Sequence, residues 1–86
     1  MTDETIEVRI RRLRMRSWRR GIKEMDLILG RFADTRLSDL TGPEIEVYDA
    51  LLSENDHDLY AWVAGREAAP APYAGIIARI ARDAGA

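Results

Sequence analysis

The chain has 86 residues, a formal net charge of −2 and a hydrophobic content of 47%. This length suffices for one small domain, and the apolar content argues against intrinsic disorder. Because the sequence contains no cysteine and one histidine, it excludes disulfide bonds and thiolate metal sites and disfavours a dedicated zinc or iron centre.

Two helical patterns occupy the first part of the chain. The first is predicted over roughly residues 5–17, with Ile6, Ile10 and Leu13 as its inner stripe. The second is predicted over about 21–34, and Gly30 is expected to shorten or loosen its end. The apolar side chains of the second pattern recur at spacings of three and four: Ile22, Met25, Ile28, Leu29 and Phe32.

The third segment has the clearest start signal. Thr41 and Glu44 fit a capping box, and Leu40 with Ile45 fits a hydrophobic staple. Pro43 falls in the first turn, where a missing amide hydrogen costs nothing. The apolar face of this predicted helix consists of Ile45, Tyr48, Leu51 and Leu52.

Two further helices complete the pattern. The fourth is predicted over about 57–64, with Asp56 as its N-cap and Gly65 as its terminator. The fifth begins near Pro72, after a stiff connector rich in alanine and proline. Its apolar stripe consists of Tyr73, Ile76, Ile77 and Ile80. Short connections between amphipathic helices favour antiparallel packing, so we expect an all-α, compact small bundle of about five helices.

The apolar runs and the first residues of the chain predict its location and domain organisation. No apolar run approaches the roughly 20 residues that a membrane-spanning helix needs. The first five residues lack the apolar core of a secretory signal and the Arg-rich character of a transit peptide. We therefore expect no membrane association, a cytoplasmic location and a single domain over residues 1–86, with 1–4 and 83–86 frayed.

Charge is distributed unevenly along the chain. Residues 9–23 carry eight basic side chains, whereas residues 39–58 carry seven acids and no base. All but one of the thirteen lysines and arginines are arginine, whose planar fork suits bidentate contacts with carboxylate or phosphate. Most of these arginines are expected to form a solvated face that is partly paired with acids of the second and third segments.

Catalysis is a poor interpretation of this sequence. The chain has no cysteine, and its serines lie in no nucleophile motif. His57 follows the predicted N-cap, so it is expected to be a solvated residue of the first turn. Glu24 and Asp26 are two residues apart on a helix and do not face each other, which disfavours a catalytic dyad.

The arginine-rich first helix leaves a second function class open. A dense basic run could contact phosphates, so the alternative function is a small helical nucleic-acid-binding or regulatory module. The sequence pI of about 5.3 and the acidic half of the chain oppose that interpretation, and we expect no nucleic-acid partner. Trp18 lies among the arginines and is either a lid on the core or an exposed anchor.

Three blocks of the sequence carry a resemblance to a known family. Together they cover roughly residues 8–65, in family order and at family spacing. The first block holds an RGxxE signature at residues 20–24 and continues to Leu29. The second is residues 37–41 followed by Glu44, and the third, residues 56–63, places an acid before Leu-aromatic-x-Trp. On these motifs the chain resembles the SdhE family of FAD assembly factors.

The resemblance implies a five-helix domain that acts as a chaperone-like assembly factor and not as an enzyme. Its client would be the flavoprotein subunit of succinate dehydrogenase, with the homologous subunit of fumarate reductase as a second candidate. FAD would be the client's cofactor, with none bound tightly by this chain, which is expected to be a monomer. The implied partner-binding residues, including those that flank the motif, are Arg16, Trp18, Arg19, Arg20, Gly21, Glu24 and Asp26.

Overall fold

The computed structural model describes residues 5–85, and within that range it contains five α-helices, one 3₁₀ turn and no strand. The predicted all-α class and helix number are therefore confirmed. The predicted fraying of residues 1–4 and of Ala86 lies outside the described residues. The helices are α1 (Ile6–Trp18), α2 (Lys23–Arg36), α3 (Gly42–Leu51), α4 (Asp56–Val63) and α5 (Ala71–Asp83), and the 3₁₀ turn is Leu37–Asp39.

The buried side of α1 begins later than the sequence predicts. Thr5 caps the helix by accepting a hydrogen bond from the Val8 amide at 3.2 Å. Leu13 is fully buried and Ile10 packs against the core, as predicted, but Ile6 is 53% exposed. The placement of Ile6 in the inner stripe is therefore wrong. Its spacing is helical, but the core contacts of α1 start only one turn later.

The second helix starts at Lys23 and not near Gly21. Gly21 has a φ of +97°, a conformation that L side chains rarely adopt. It is followed by Ile22 in an extended conformation as the N-cap. Because Ile22 precedes the helix, its side chain is 41% exposed, and its predicted place in the apolar stripe of α2 is wrong. Met25, Leu29 and Phe32 are buried as predicted.

Gly30 brings α1 and α2 together and does not weaken α2, contrary to the prediction. The helix continues beyond Gly30 to Arg36, and Gly30 itself is buried. The indole ring of Trp18 lies so close that a Cβ at this position would overlap the ring. The indole Nε1 also donates to the Asp34 carboxylate, at 3.2 Å. Trp18 is therefore a lid that seals the α1–α2 contact.

Local signals at α3 and α4 are largely confirmed. The capping box is complete: the Glu44 amide donates to Thr41 Oγ1 at 3.3 Å, and the Thr41 amide donates to Glu44 Oε1 at 2.8 Å. At α4 the predicted N-cap is wrong by one residue. The cap is Asn55, whose Oδ1 accepts from the Asp58 amide at 2.9 Å.

The helices α4 and α5 end at Val63 and Asp83. Gly65 has a φ of +78° and terminates α4 as predicted. The Arg66 amide then donates to the Ala61 carbonyl at 2.8 Å, which is the bond expected of a glycine C-terminal motif. The last helix reaches Asp83, where the carboxylate accepts from Arg36 at 3.2 Å. It thus extends one residue into the segment predicted to fray.

All five helices contribute to one core that contains a single buried polar link. Ser17 Oγ donates to the Leu13 carbonyl at 2.8 Å and lies 2.6 Å from the Tyr48 hydroxyl. The Tyr48 hydroxyl donates to the Leu29 carbonyl at 3.4 Å, so one phenol joins α1, α2 and α3. Burial raises the pKa of Tyr48 to about 12. Among residues 5–85, no buried side-chain polar atom lacks a partner.

Among residues 5–85, no helix is long and apolar enough to cross a membrane. No group of three or more His, Asp or Glu side chains there is arranged to hold a metal ion.

The Trp18–Gly30 contact predicts an unusual response to a helix-favouring substitution. Alanine has a higher helix propensity than glycine by about 1 kcal/mol, yet Gly30→Ala should lower the free energy of unfolding by about 1–3 kcal/mol because the methyl group displaces the indole. Urea denaturation measures this loss. In the Trp18→Ala background the same substitution should be neutral or stabilising, and an equal loss in both backgrounds would contradict the contact.

Candidate functional site

The corner between α1 and α2 is held by Arg20, whose side chain points into the protein. Its Nε donates to Asp56 Oδ1 at 2.9 Å. The two terminal nitrogens donate to the carbonyls of Leu52 and Glu54, at 2.6 and 2.7 Å. Arg20 and Asp56 side chains are only 11% and 14% exposed. One guanidinium therefore clamps the loop between α3 and α4 onto the α1–α2 junction.

Asp26 fixes the backbone of the same corner. Its Oδ1 accepts a hydrogen bond from the Arg20 amide at 2.6 Å. The Asp26 amide donates to the Ile22 carbonyl at 2.9 Å, which starts α2. Asp26 thus holds the turn that contains Gly21, and its carboxylate is used within the fold.

Gly21 and Glu24 form the outward half of the corner. A Cβ at Gly21 would have no atom within 4 Å, so the backbone there faces open space. Glu24 lies in the first turn of α2, where the helix dipole favours a negative charge. Its exposed side chain makes no ion pair or hydrogen bond among residues 5–85. Open backbone and an uncommitted carboxylate are therefore adjacent on the surface.

A shallow groove begins at Glu24 and runs between the start of α2 and α4. Its volume is about 250 Å³, and most of its lining is apolar. The Arg66 guanidinium lies 5.5 Å from the centre of the Tyr60 ring at one edge of the groove. Such a groove can accept one or two apolar side chains of a partner. Its lining residues are Ile22, Glu24, Met25, Asp56, His57, Tyr60, Ala61 and Arg66.

Several arginines of α1 are paired within the fold, as the charge pattern predicts. Arg9 contacts Glu46 at 2.7 Å and Asp49 at 3.0 Å, while Arg16 contacts the other oxygen of Asp49 at 2.8 Å. Arg14 contacts Asp34 of α2 at 3.4 Å. The basic run and the acidic half of the chain therefore neutralise each other along the α1–α3 contact.

These pairs shift the pKa values of the acids. Burial alone raises the pKa of Asp49, but hydrogen bonds from Arg16 and Arg9 outweigh it and lower the pKa below its ordinary value. The hydrogen bond from Arg9, reinforced by its charge, lowers the pKa of Glu46. Both acids are therefore held in their charged form against mild acid.

The structure divides the sequence-predicted site residues into two groups. Arg16, Trp18, Arg20 and Asp26 all make contacts within the fold. Gly21, Glu24 and Arg19 are exposed, and the side chains of Glu24 and Arg19 have no partner among the described residues. Sequence reasoning missed Asp56 as the partner of Arg20 because 36 residues separate them. Its place as the first residue of the third block was the only signal of its importance.

The Arg20 clamp predicts a clear difference between two arginines. Arg20→Lys should lower the free energy of unfolding by about 2–3 kcal/mol, because an ammonium cannot serve three acceptors in the geometry of the fork. Arg16→Lys alters a partly exposed pair with a single carboxylate and should cost at most about 1 kcal/mol. Urea denaturation of both variants measures the two losses. Equal losses would contradict the clamp.

The lowered pKa of Asp49 predicts a pH dependence. A carboxyl whose folded pKa is depressed stabilises the protein above its unfolded pKa, near 3.8, and this stability disappears as pH falls through the folded value. Asp49→Asn should therefore be less stable than the unaltered chain at pH 7, with the gap closing in strong acid. Denaturation between pH 7 and 2 measures the gap. Asp39→Asn, which removes an exposed acid outside any described ion pair, should show a much smaller gap, and a constant gap for Asp49→Asn would contradict the assignment.

Comparison with known proteins places this corner within a described family. Residues 11–84 match the family model described as flavinator of succinate dehydrogenase. This match covers α2 to α5 and the greater part of α1, and thus includes the Arg20 clamp, Gly21 and Glu24.

Curated fungal proteins named "Succinate dehydrogenase assembly factor 2, mitochondrial" are similar to the chain. The protein of Lodderomyces elongisporus is 49% identical over 61 residues, which cover 71% of this chain and 37% of the relative. That of Scheffersomyces stipitis is 48% identical over 59 residues, covering 69% and 40%. That of Komagataella phaffii is 45% identical over 71 residues, covering 81% and 37%.

The chain thus spans about two-fifths of the length of these relatives. The aligned part is nevertheless most of this chain, and the family model runs from the first turns of α1 to the end of α5. The chain therefore belongs to the family of flavinators of succinate dehydrogenase.

Proposed function

We propose that this chain is an assembly factor that binds the flavoprotein subunit of succinate dehydrogenase and promotes covalent attachment of FAD to it. The proposal rests on the exposed surface that Gly21 and Glu24 form at the corner, together with the membership of the chain in the flavinator family. There the backbone of Gly21 is open, and the uncommitted carboxylate of Glu24 is its neighbour. The homologous subunit of fumarate reductase is proposed as a second client.

The proposed contacts differ in kind across the corner. Gly21 permits close approach of a partner backbone, and Glu24 accepts charge-assisted hydrogen bonds from it. The apolar groove beside Glu24 takes a side chain of the same partner. Arg20 and Asp26 act indirectly, since their contacts hold the turn and the α3–α4 loop in the shape that the partner meets.

The proposed mechanism is positioning of the client. A factor that holds parts of a larger protein in a reactive geometry can accelerate a reaction without supplying a reacting group. In this proposal the flavoprotein binds FAD and reacts with it, while the chain acts as a monomer and not as an enzyme. The sequence supports this view because it offers neither a cysteine nor a serine in a nucleophile motif.

Two other expectations stay predictions. Nucleic-acid binding through the first helix is less supported, because Arg9, Arg14 and Arg16 already contact acids of α2 and α3. The proposed cytoplasmic location rests on the sequence, whereas the word mitochondrial stands in the names of the fungal relatives.

The proposal predicts that a large side chain at position 21 prevents flavin attachment to the client but leaves the chain folded. Gly21→Ala and Gly21→Arg impose the same backbone strain, of about 1–3 kcal/mol, because both place a Cβ at a φ of +97°. Only arginine adds bulk to the open face. In a host that lacks this chain, in-gel flavin fluorescence of the flavoprotein subunit should be largely restored by Gly21→Ala but not by Gly21→Arg.

Thermal unfolding provides the control for this comparison. Both variants should remain helical and unfold at similar temperatures. A folded Gly21→Arg chain that restores full flavin attachment would contradict the proposal.

A further inference from the structure

Exposed apolar side chains are concentrated on one part of the molecule. Among the described residues, every large hydrophobic side chain that is exposed lies between positions 6 and 22. Scattered exposed apolar residues are ordinary, so only those that share one face indicate an interaction surface. They are Ile6, Val8, Met15, Trp18 and Ile22, with exposed fractions of 53, 43, 47, 37 and 41%.

Helical spacing places part of this set on one face of α1. Val8, Met15 and Arg19 are separated by seven and four residues, so they follow one another along the side of α1 opposite Leu13. Arg11 lies beside Met15 on the same side. We refer to Val8, Arg11, Met15 and Arg19 as the outer face of α1. No other helix covers these four residues, all of which are exposed.

The outer face is basic as well as apolar. The side chains of Arg11 and Arg19 make no ion pair or hydrogen bond among residues 5–85. A cavity of about 280 Å³ opens around Met15, and its other lining residues are Arg12, Arg16, Arg19 and Arg20. Arg16 and Arg20 are paired with Asp49 and Asp56, so the unpaired positive charge beside Met15 among the described residues comes from Arg11 and Arg19.

We infer that the outer face of α1 docks an acidic, amphipathic segment of the flavoprotein subunit. This inference rests on the proposed function and assigns it a second contact surface. Val8 and Met15 meet the apolar side of the segment, and Arg11 and Arg19 pair with its carboxylates. Charge complementarity identifies the partner chemistry, since the outer face contains two uncommitted cations and no acid.

The outer face is continuous with the corner. Arg19 of the outer face is two residues before Gly21 of the corner, and both are exposed. A partner that contacts Gly21 and Glu24 can therefore also contact Arg19. From Val8 to the end of α1 at Trp18 the helix rises about 15 Å, which is the length of nearly three helical turns of a partner. The two surfaces together can hold one segment along α1 and one contact at the α2 start.

A protein segment fits this face better than a nucleic acid. A phosphate backbone offers nothing to the exposed apolar side chains of Val8 and Met15. Nucleic-acid binding is therefore an alternative outcome of the test.

The test measures the affinity of full-length variants for the purified flavoprotein subunit. Met15→Glu and Arg19→Glu should each weaken binding by about tenfold, as expected for contacts near the centre of an interface, and the double variant should weaken it further. Arg31→Glu lowers the net charge by two, as Arg19→Glu does, at an exposed position of α2 outside any described ion pair. It should leave affinity within about twofold. Arg11→Glu replaces Arg19→Glu if that variant unfolds, which circular dichroism reveals.

The outcomes separate this inference from the proposed function. If the unaltered chain binds the subunit and the outer-face variants bind equally well, the inference is overturned and the proposed function stands. If the unaltered chain does not bind the subunit, both fail. If a duplex oligonucleotide binds the unaltered chain in a salt-dependent manner that Arg19→Glu abolishes, while subunit binding is unchanged, the face serves nucleic acid and the inference is overturned.

Discussion

The shape of the corner between α1 and α2 depends on the three hydrogen bonds that the inward-pointing guanidinium of Arg20 donates. The guanidinium bridges the end of α1 to the carboxylate of Asp56 and to two carbonyls of the α3–α4 loop. Because it is planar and carries donors on all three nitrogens, one side chain satisfies three acceptors at once. It thereby fixes the relative position of three helix ends, and the exposed corner takes its shape from that constraint.

The RGxxE signature consequently has an inward and an outward part. Arg20 faces inward, whereas Gly21 and Glu24 face outward. The position after Arg20 requires a glycine with a positive φ, because the chain must turn sharply there before α2 begins. A short motif thus combines a residue that holds the fold with residues that are exposed and that we propose contact the partner, although they are neighbours in sequence.

Local features of this fold could be predicted from sequence because their causes lie within a few residues. The capping box of Thr41 and Glu44 and the stop at Gly65 depend only on adjacent backbone groups. The apolar face of α3 followed from helical spacing, and its four residues are all buried. Helix number and class followed from such signals.

The errors have long-range causes. Gly30 was interpreted as a weak point, but its role depends on Trp18 of another helix. Ile22 matched the spacing of α2, yet the turn at Gly21 places it before the helix. The direction of Arg20 was hidden because its acceptors lie more than 30 residues further along the chain. The spacing of apolar residues predicts the buried face of a single helix, but it does not predict which other helix packs against that face.

We propose that this small helical domain acts on a larger partner by shape and charge. The core and the inward arginine hold the corner in place, and in this proposal the contacts come from the exposed backbone of Gly21, the carboxylate of Glu24 and the outer face of α1. Such a division suits an assembly factor, because a preorganised surface loses little conformational entropy when it binds.

The most direct measurement of the central claim is the rate of covalent FAD attachment to the purified apo-flavoprotein subunit, with and without this chain. The account predicts that attachment accelerates in the presence of the chain and that the effect saturates near one chain per subunit, with the chain recovered unmodified. An unchanged rate, together with no association between the two proteins, would contradict it.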